Sequence, residues 1–334
     1  MGKILFVGNC CLDVVTYVQG FPEEDSDLRF LDQTLTLGGN ATNSAKVAVQ
    51  LSGPESALLF SAIPNGNALF ENLFKHYRLN TSLCVVRSGA EEDAEKGVPM
   101  TVCLINELNG SRTLLSSLGN KRWPNGADLR CYLPSLDGFS WFHFETGFTS
   151  KIESVVEMVE YIYSASNNSS SNVAEKSQKI ISIEFEHPLD EPIMNKFVSL
   201  GNLFFVSKDF ARAQAWTTMH GCVTMFQEKY GAHHSAVICP WGEKGVAAKI
   251  GTSVPFPCTE NDGTVIELSA HFPSNGRVVD TLAAGDCFVA GTVHFLNAGD
   301  GLRQALIKAT FLAGESVGQR GLMGLKVPSD DSSI

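Results

Sequence analysis

The sequence predicts an α/β fold: a three-layer α/β/α domain with a mostly parallel central sheet, and a small β-sheet outside it. Three observations carry this. Strand-like apolar runs alternate with helix-like stretches over most of the 334 residues, and strands joined by helical crossovers pair in parallel. Segments near 25–37 and 98–118 alternate apolar and polar residues outside that repeat, the pattern of half-exposed strands. Hydrophobic residues make up 44% of the chain and no internal repeat divides it, so we expect one domain over 1–334 with one large core.

Each element follows from local chemistry. "KILFVG" opens as a strand, and "FLDQTLTLGG" (30–39) alternates as a half-exposed one. "NATNSAKVAVQLSG" (40–53) starts with a capping residue and ends on Gly, so it is a helix. "SALLFSAI" (56–63) is a strand and "ALFENLFKHY" (68–77) a helix. "PMTVCLIN" (99–106) and "RTLLSSL" (112–118) are strands joined across "ELNGS", where Asn109-Gly110 signals a hairpin. "GFSWFHFET" (138–146) is a strand, 150–164 a helix, and the polar run 164–178 a solvated loop. "KIISIEFE" (179–186) and "NLFFVSKD" (202–209) are strands, the second with a helix after it. "AVICPWGEKGVAAKI" (236–250) folds as two strands around a tight turn. Helices are expected at 285–297 and 301–318, and a frayed tail at 326–334.

The formal net charge is −11 and no basic run offsets it, which argues against nucleic acid or an anionic membrane as partner. No apolar run is long enough to span a bilayer. The nine cysteines are odd in number and include no C-x-x-C, and "MGKILFVGN" runs straight into a strand. The expectation is reduced thiols and a cytoplasmic location.

Three stretches carry chemistry. In "DTLAAGDCFV" (280–289), small residues precede a helix, so amides of Ala283, Ala284 and Gly285 can point into open space where the helix dipole favours an anion. Asp286 in that first turn is within reach of whatever the anion touches, although Asp is also an ordinary first-turn residue. In "LGGNATNSA" (37–45), Gly38 and Gly39 free the backbone for a close approach. Asn40 and Asn43, three apart, can face one direction and suit sugar hydroxyls, while a glycine turn with an Asn cap explains the same letters. Asp13 follows the first strand, at the carboxyl end where open α/β sheets bind ligands. There is no G-x-G-x-x-G after the first strand and no G-x-x-x-x-G-K-[ST], which excludes a dinucleotide dehydrogenase and a P-loop kinase.

Together, Asp13, Gly-Gly-Asn-Ala-Thr-Asn and Asp-Thr-Leu-Ala-Ala-Gly-Asp resemble the ribokinase-like (PfkB) carbohydrate kinases, over residues 3 to 325. "FPEEDSDLR", "NGSRT", "IEFEHP", "FVSKD" and "PWGEKG" resemble the ketohexose-phosphorylating branch of that family. The resemblance implies phosphorylation of D-fructose at its 1-hydroxyl by ATP. Asp286 would be the base, and the amides of Ala283, Ala284 and Gly285 an anion hole. Asp13, Gly39, Asn40 and Asn43 would hold the sugar. Arg112, Gly242, Glu243, Lys244 and Gly245 would meet ATP, with Trp241 nearby, although Trp241 read alone is a core aromatic. Mg²⁺ would accompany ATP, and K⁺ could bind at the Asp280 loop. Strands within 14–37 and 98–118 would form a lid, and two lids would clasp into a homodimer that sends Asp25 toward the partner's sugar site. Two departures stand out. Ser207-Lys208-Asp209-Phe210 replaces the family's usual Asn-x-x-Glu, leaving open how Mg²⁺ is held. Ala283 replaces a usual Gly, which is harmless at negative φ and strained at positive φ. A kinase for another sugar or a nucleoside, and a catalytically silent sensor on this fold, remain alternative readings.

Overall fold

The central strands are apolar on both sides because helices cover both faces of their sheet. Within Lys3–Val7 (β1), Ile4 and Phe6 enter one core while Leu5 and Val7 enter the other. The structure is a computed structural model describing residues 1–87, 98–117, 119, 123–147, 152–168, 179–260 and 263–326. Its elements in chain order are β1, Cys11–Val18 (β2), Asp32–Gly38 (β3), Asn40–Ser52 (α1), Ala57–Phe60 (β4), Ala62–Pro64 (β5), Ala68–Tyr77 (α2), Val85–Arg87 (β6), Met100–Asn106 (β7) and Arg112–Ser117 (β8). Gly126–Tyr132 (α3), Phe139–Glu145 (β9), Ile152–Asn168 (α4), Ile180–Phe185 (β10), Glu191–Leu200 (α5), Leu203–Val206 (β11), Lys208–Ala213 (α6) and Met219–Tyr230 (α7) follow. The last are Ala236–Pro240 (β12), Val246–Lys249 (β13), Val265–Leu268 (β14), Ala284–Ala298 (α8) and Leu302–Ser316 (α9).

The large sheet has eight strands in the order β14-β13-β12-β11-β10-β9-β1-β4. It is parallel from β4 to β12, and β13 and β14 add antiparallel at the edge. α1, α2, α8 and α9 pack on one face through residues such as Ala45, Phe70, Val293 and Leu306. α3 to α7 pack on the other, through Leu129, Val159, Phe197, Phe210 and Phe226. This is the expected three-layer architecture.

The small sheet stands apart, with order β3-β2-β7-β8 and its own core of Val15, Tyr17, Cys103 and Ile105. Its strand β2 differs from expectation. After β1 the chain turns at Gly8 and re-enters extended structure at Cys11, so Asp13 lies within a strand of the small sheet, opposite Thr36 and Thr101. The β-branched and aromatic run Val14, Val15, Thr16, Tyr17, Val18 accounts for this. Of the segment 25–37, only residues from Asp32 on are strand.

Helix α4 runs to residue 168, past the expected end at 164, because Ile162 and Ala165 continue its apolar face and Ser166 Oγ donates to the Ile162 carbonyl at 2.7 Å. The rest of the expected loop, 169–178, lies outside the described residues, as do positions 118, 150 and 151 and tail residues 327–334. No helix among the described residues is long and apolar enough to cross a membrane.

Candidate active site

The start of α8 shapes the site. Its N-cap is Ala283, in the left-handed region at φ 60°, and no side chain caps this end. Ala284 N makes a long bond to Thr281 O at 3.5 Å, and with no side chain over this end the amides of the first turn can turn toward a ligand. Two cavities meet here. One, of about 220 Å³, is lined by Asp13, Asn43, Lys46, Tyr77, Asp280 and Ala283 among others. The other, of about 520 Å³, is lined by Arg112, Gly242, Glu243, Gly245, Ala284 and Gly285 among others. The short Ala-Ala-Gly turn thus faces the smaller cavity with its first residue and the larger with the next two.

Asp286 is buried beneath this turn and accepts a hydrogen bond from Asn43 Nδ2 at 2.7 Å. Burial, then the charges of Glu184 and Glu186, push its carboxyl up to about 8, against the lowering effects of Asn43 and Lys46. Asp13 is also buried and raised, chiefly by desolvation, while Cys11 Sγ donates to its Oδ1 at 3.3 Å. A Cβ added at Gly38 would overlap the Asp13 carboxylate, and one at Gly39 would fall 2.5 Å from the Asn9 carbonyl, with Gly39 already at φ 94°. The Gly-Gly pair is thus required by the chain's own close approaches.

The two asparagines of α1 diverge. Asn43 holds Asp286, whereas Asn40 Nδ2 donates to Glu186 Oε1 at 2.5 Å. Gly39 cannot cap α1 with a side chain, and buried Glu145 from β9 does so instead, accepting from Ala41 N at 2.8 Å and from Asn9 N. Neither Gly39 nor Asn40 lines the smaller cavity.

The hairpin tip of the small sheet touches the same turn. Arg112 Nη1 donates to both Thr281 O and Thr281 Oγ1 at 3.0 Å, and Thr281 Oγ1 donates to Gly110 O at 3.0 Å. Asp280 is fully engaged: Oδ1 accepts from Leu282 N at 2.8 Å and Oδ2 from Tyr17 OH at 3.1 Å. Lys244 sits in the short 3-10 turn Gly242–Lys244 but does not line the larger cavity. Trp241 is buried, 4% exposed. Asp25 is exposed on the loop between β2 and β3.

Sequence reasoning missed Lys46, Tyr17 and Arg320. Arg320 reaches back from beyond α9 to Asp32 Oδ2 at 2.8 Å, to Glu107, and over the Tyr17 ring at 4.1 Å. The signal for Lys46 was present, since it lies one helical turn beyond Asn43.

Residues 205–329 match the pfkB family of carbohydrate kinases. A ketohexokinase of Mus musculus is 31% identical over 327 residues, covering 97% of this chain and 98% of the mouse protein. The chain belongs to the PfkB family of carbohydrate kinases. Within that family its likeness to ketohexokinase runs nearly end to end. Ribokinase from Giardia lamblia has a TM-score of 0.74 at 19% identity, covering 96% of this chain and 94% of that one. Ribokinase from Cryptococcus neoformans var. grubii, solved in complex with ADP, has a TM-score of 0.70 at 17% identity, covering 96% and 95%. These likenesses show the ribokinase-like fold.

Proposed function

We propose that the protein transfers the γ-phosphoryl group of ATP to the 1-hydroxyl of D-fructose, giving D-fructose 1-phosphate and ADP. The observation that carries the reading is the start of α8 standing between two cavities, with a buried carboxylate under it. The nucleotide occupies the larger cavity, against Gly242, Glu243 and Gly245. The ketose occupies the smaller one, where Asp13 and Asn43 meet its hydroxyls. Asn43 fixes Oδ2 of Asp286. Oδ1 then takes the proton of the attacking hydroxyl as its oxygen bonds to the γ-phosphorus and the bond to the β-γ bridging oxygen breaks. Amides of Ala284 and Gly285 stabilise charge on the group in transit, and Arg112 meets the phosphates. The near full-length likeness to mouse ketohexokinase supports the ketose, and the ADP bound to the Cryptococcus ribokinase supports the nucleotide.

Magnesium, when bound, offsets phosphate charge. Among the described residues no group of three or more His, Cys, Asp or Glu that could hold a metal is found, so the Mg²⁺ reading rests on the resemblance. The K⁺ reading rests on the resemblance alone, because both oxygens of Asp280 already hold the turn and Tyr17.

The small sheet acts as a lid, and a second copy of the chain is proposed to cover it. Leu35 and Leu115 are 44% and 60% exposed on one face of the small sheet, in the row that runs Leu35, Val14, Val102, Leu115 across β3, β2, β7 and β8, and Leu31 is 52% exposed beside β3. Burying such a face is favourable at roughly 25 cal/mol per Å², and Asp25 on the adjacent loop would then approach the partner's sugar cavity.

ATP consumption across D-fructose, other ketoses, ribose and adenosine, with the phosphorylated position read by NMR, tests the reading. Fructose 1-phosphate is expected. Mainly fructose 6-phosphate, or turnover confined to ribose or adenosine, would replace it with another sugar or nucleoside kinase. No turnover of any acceptor would leave the sensor.

A further inference from the structure

The smaller cavity contains a cation that the reaction above does not use. Lys46 is 3% exposed, on α1, three residues after the Asn43 that grips Asp286. Side chains three apart share a helix face, so Lys46 follows Asn43 along the same wall. Its Nζ donates to Leu37 O at 2.5 Å and lies 4.7 Å from the centre of the Tyr77 ring. Leu37 adjoins Gly38, whose missing side chain makes room for the Asp13 carboxylate. Lys46, Asp13 and Asn43 all line this cavity. An ammonium group removed from water is costly without opposite charge, and the Leu37 carbonyl and the Tyr77 face supply only partial charge.

We infer that Lys46 is a positioning residue of the acceptor cavity, a fixed positive charge on the wall it shares with Asp13 and with the Asn43 that grips Asp286, favouring the carboxylate form of both acids. The inference rests on Asp286 being the base. The electrostatics agree in direction: burial lowers Lys46 to about 8, and Asp13 and then Asp286 act against that lowering. Lys46 in turn lowers both carboxyls. The other groups facing Asp286 work the opposite way: Glu184 on β10 and Glu186 just after it raise it, and Glu145 on β9 lies close enough to be raised by Asp286 itself. Asn43 is the neutral donor that fixes it, at Oδ2, among the described residues. Lys46 is thus the one cation among the groups that shift Asp286.

The sign follows. A base works as the carboxylate, so activity rises with pH through the Asp286 titration, and removing a nearby cation moves that rise to higher pH. Lys46→Met keeps an unbranched side chain one atom shorter and removes the charge. Its acid limb in kcat/KM should move up by on the order of one pH unit, with kcat above the limb within about threefold of the parent, and Lys46→Arg should restore the limb. A uniform loss of kcat at every pH, or an unmoved limb, overturns the inference. Should Lys46→Met fail to fold, ¹³C NMR titration of the Lys46 side chain in the parent and in Asp286→Asn decides. Linkage is reciprocal, so loss of the carboxylate should lower the Lys46 midpoint, and an unchanged midpoint overturns the inference. Undiminished turnover by Asp286→Asn would instead remove the base, a failure of the underlying reading and a different result from either of these.

Discussion

Asp286 and Ala283 are both held where an isolated residue of their type would not settle. The carboxyl of Asp286 is raised to about 8 by burial and then by Glu184. A carboxyl raised on folding makes a contribution to stability that is fully present below its unfolded value and is lost as pH rises through the folded one, here from about 4 to about 8. At neutral pH most of it is gone. Asp286→Asn should therefore melt higher than the parent at pH 7.5, by roughly 2–5 °C, and the gap should close toward pH 4. The same variant should lose roughly 10²- to 10⁴-fold in turnover while still binding ATP. Near-normal turnover, or a lower melting point at pH 7.5, would count against a buried charge serving as base. Ala283 at φ 60° carries a left-handed penalty that Gly avoids. Ala283→Gly should stabilise the protein by about 1 kcal/mol, read by chemical denaturation. A loss of stability would place the strain elsewhere.

At the scale of elements, the small sheet and the start of α8 are joined by hydroxyl and guanidinium bonds at Thr281. Thr281→Val keeps the shape of the side chain and removes both its acceptance from Arg112 and its bond to Gly110 O. The two lost bonds amount to about 1–2 kcal/mol between them, so kcat/KM for ATP should fall about fivefold to thirtyfold in a variant that still folds. An unchanged kcat/KM would show that the hairpin tip and the turn work independently. This joint also marks what the sequence made legible. The strand-helix alternation, the α8 start and the Asn109-Gly110 turn are local signals, and the structure has these elements where those signals lie. Asn40 and Asn43 looked equivalent by spacing, yet Glu186 just after β10 and Asp286 on α8 draw them apart, and acids distant in sequence are invisible to a spacing argument. Asp13 does follow the first strand, but the strand of the small sheet begins at Cys11 rather than at about 14, so Asp13 sits inside it. Lys46 lies one helical turn beyond Asn43 and was legible in the spacing, whereas Arg320 was not, because its partners Asp32 and Glu107 are brought to it by the fold alone.

For the whole molecule, the exposed leucines of β3 and β8 set the expectation of a dimer. Sedimentation at assay concentrations should give a homodimer, and Leu115→Asp should shift it toward monomer and lower activity together. A fully active monomeric parent would sink the lid clasp, as would a dimer unaffected by Leu115→Asp. Arg320 has a different consequence. It comes after every strand of both sheets, yet its contacts with Asp32, Glu107 and Tyr17 tie the outer sheet down. Gly321, Leu322 and Met323 line the acceptor cavity beside it. The wall of the acceptor cavity is thus built from both ends of the fold, strand residues such as Asp13 and Thr36 on one side and the segment after α9 on the other. A chain cut back to Ser316, the end of α9, would keep Asp13, Asn43 and Asp286 yet lose that second side, so trimming a segment with no strand or helix of its own should open the cavity to solvent.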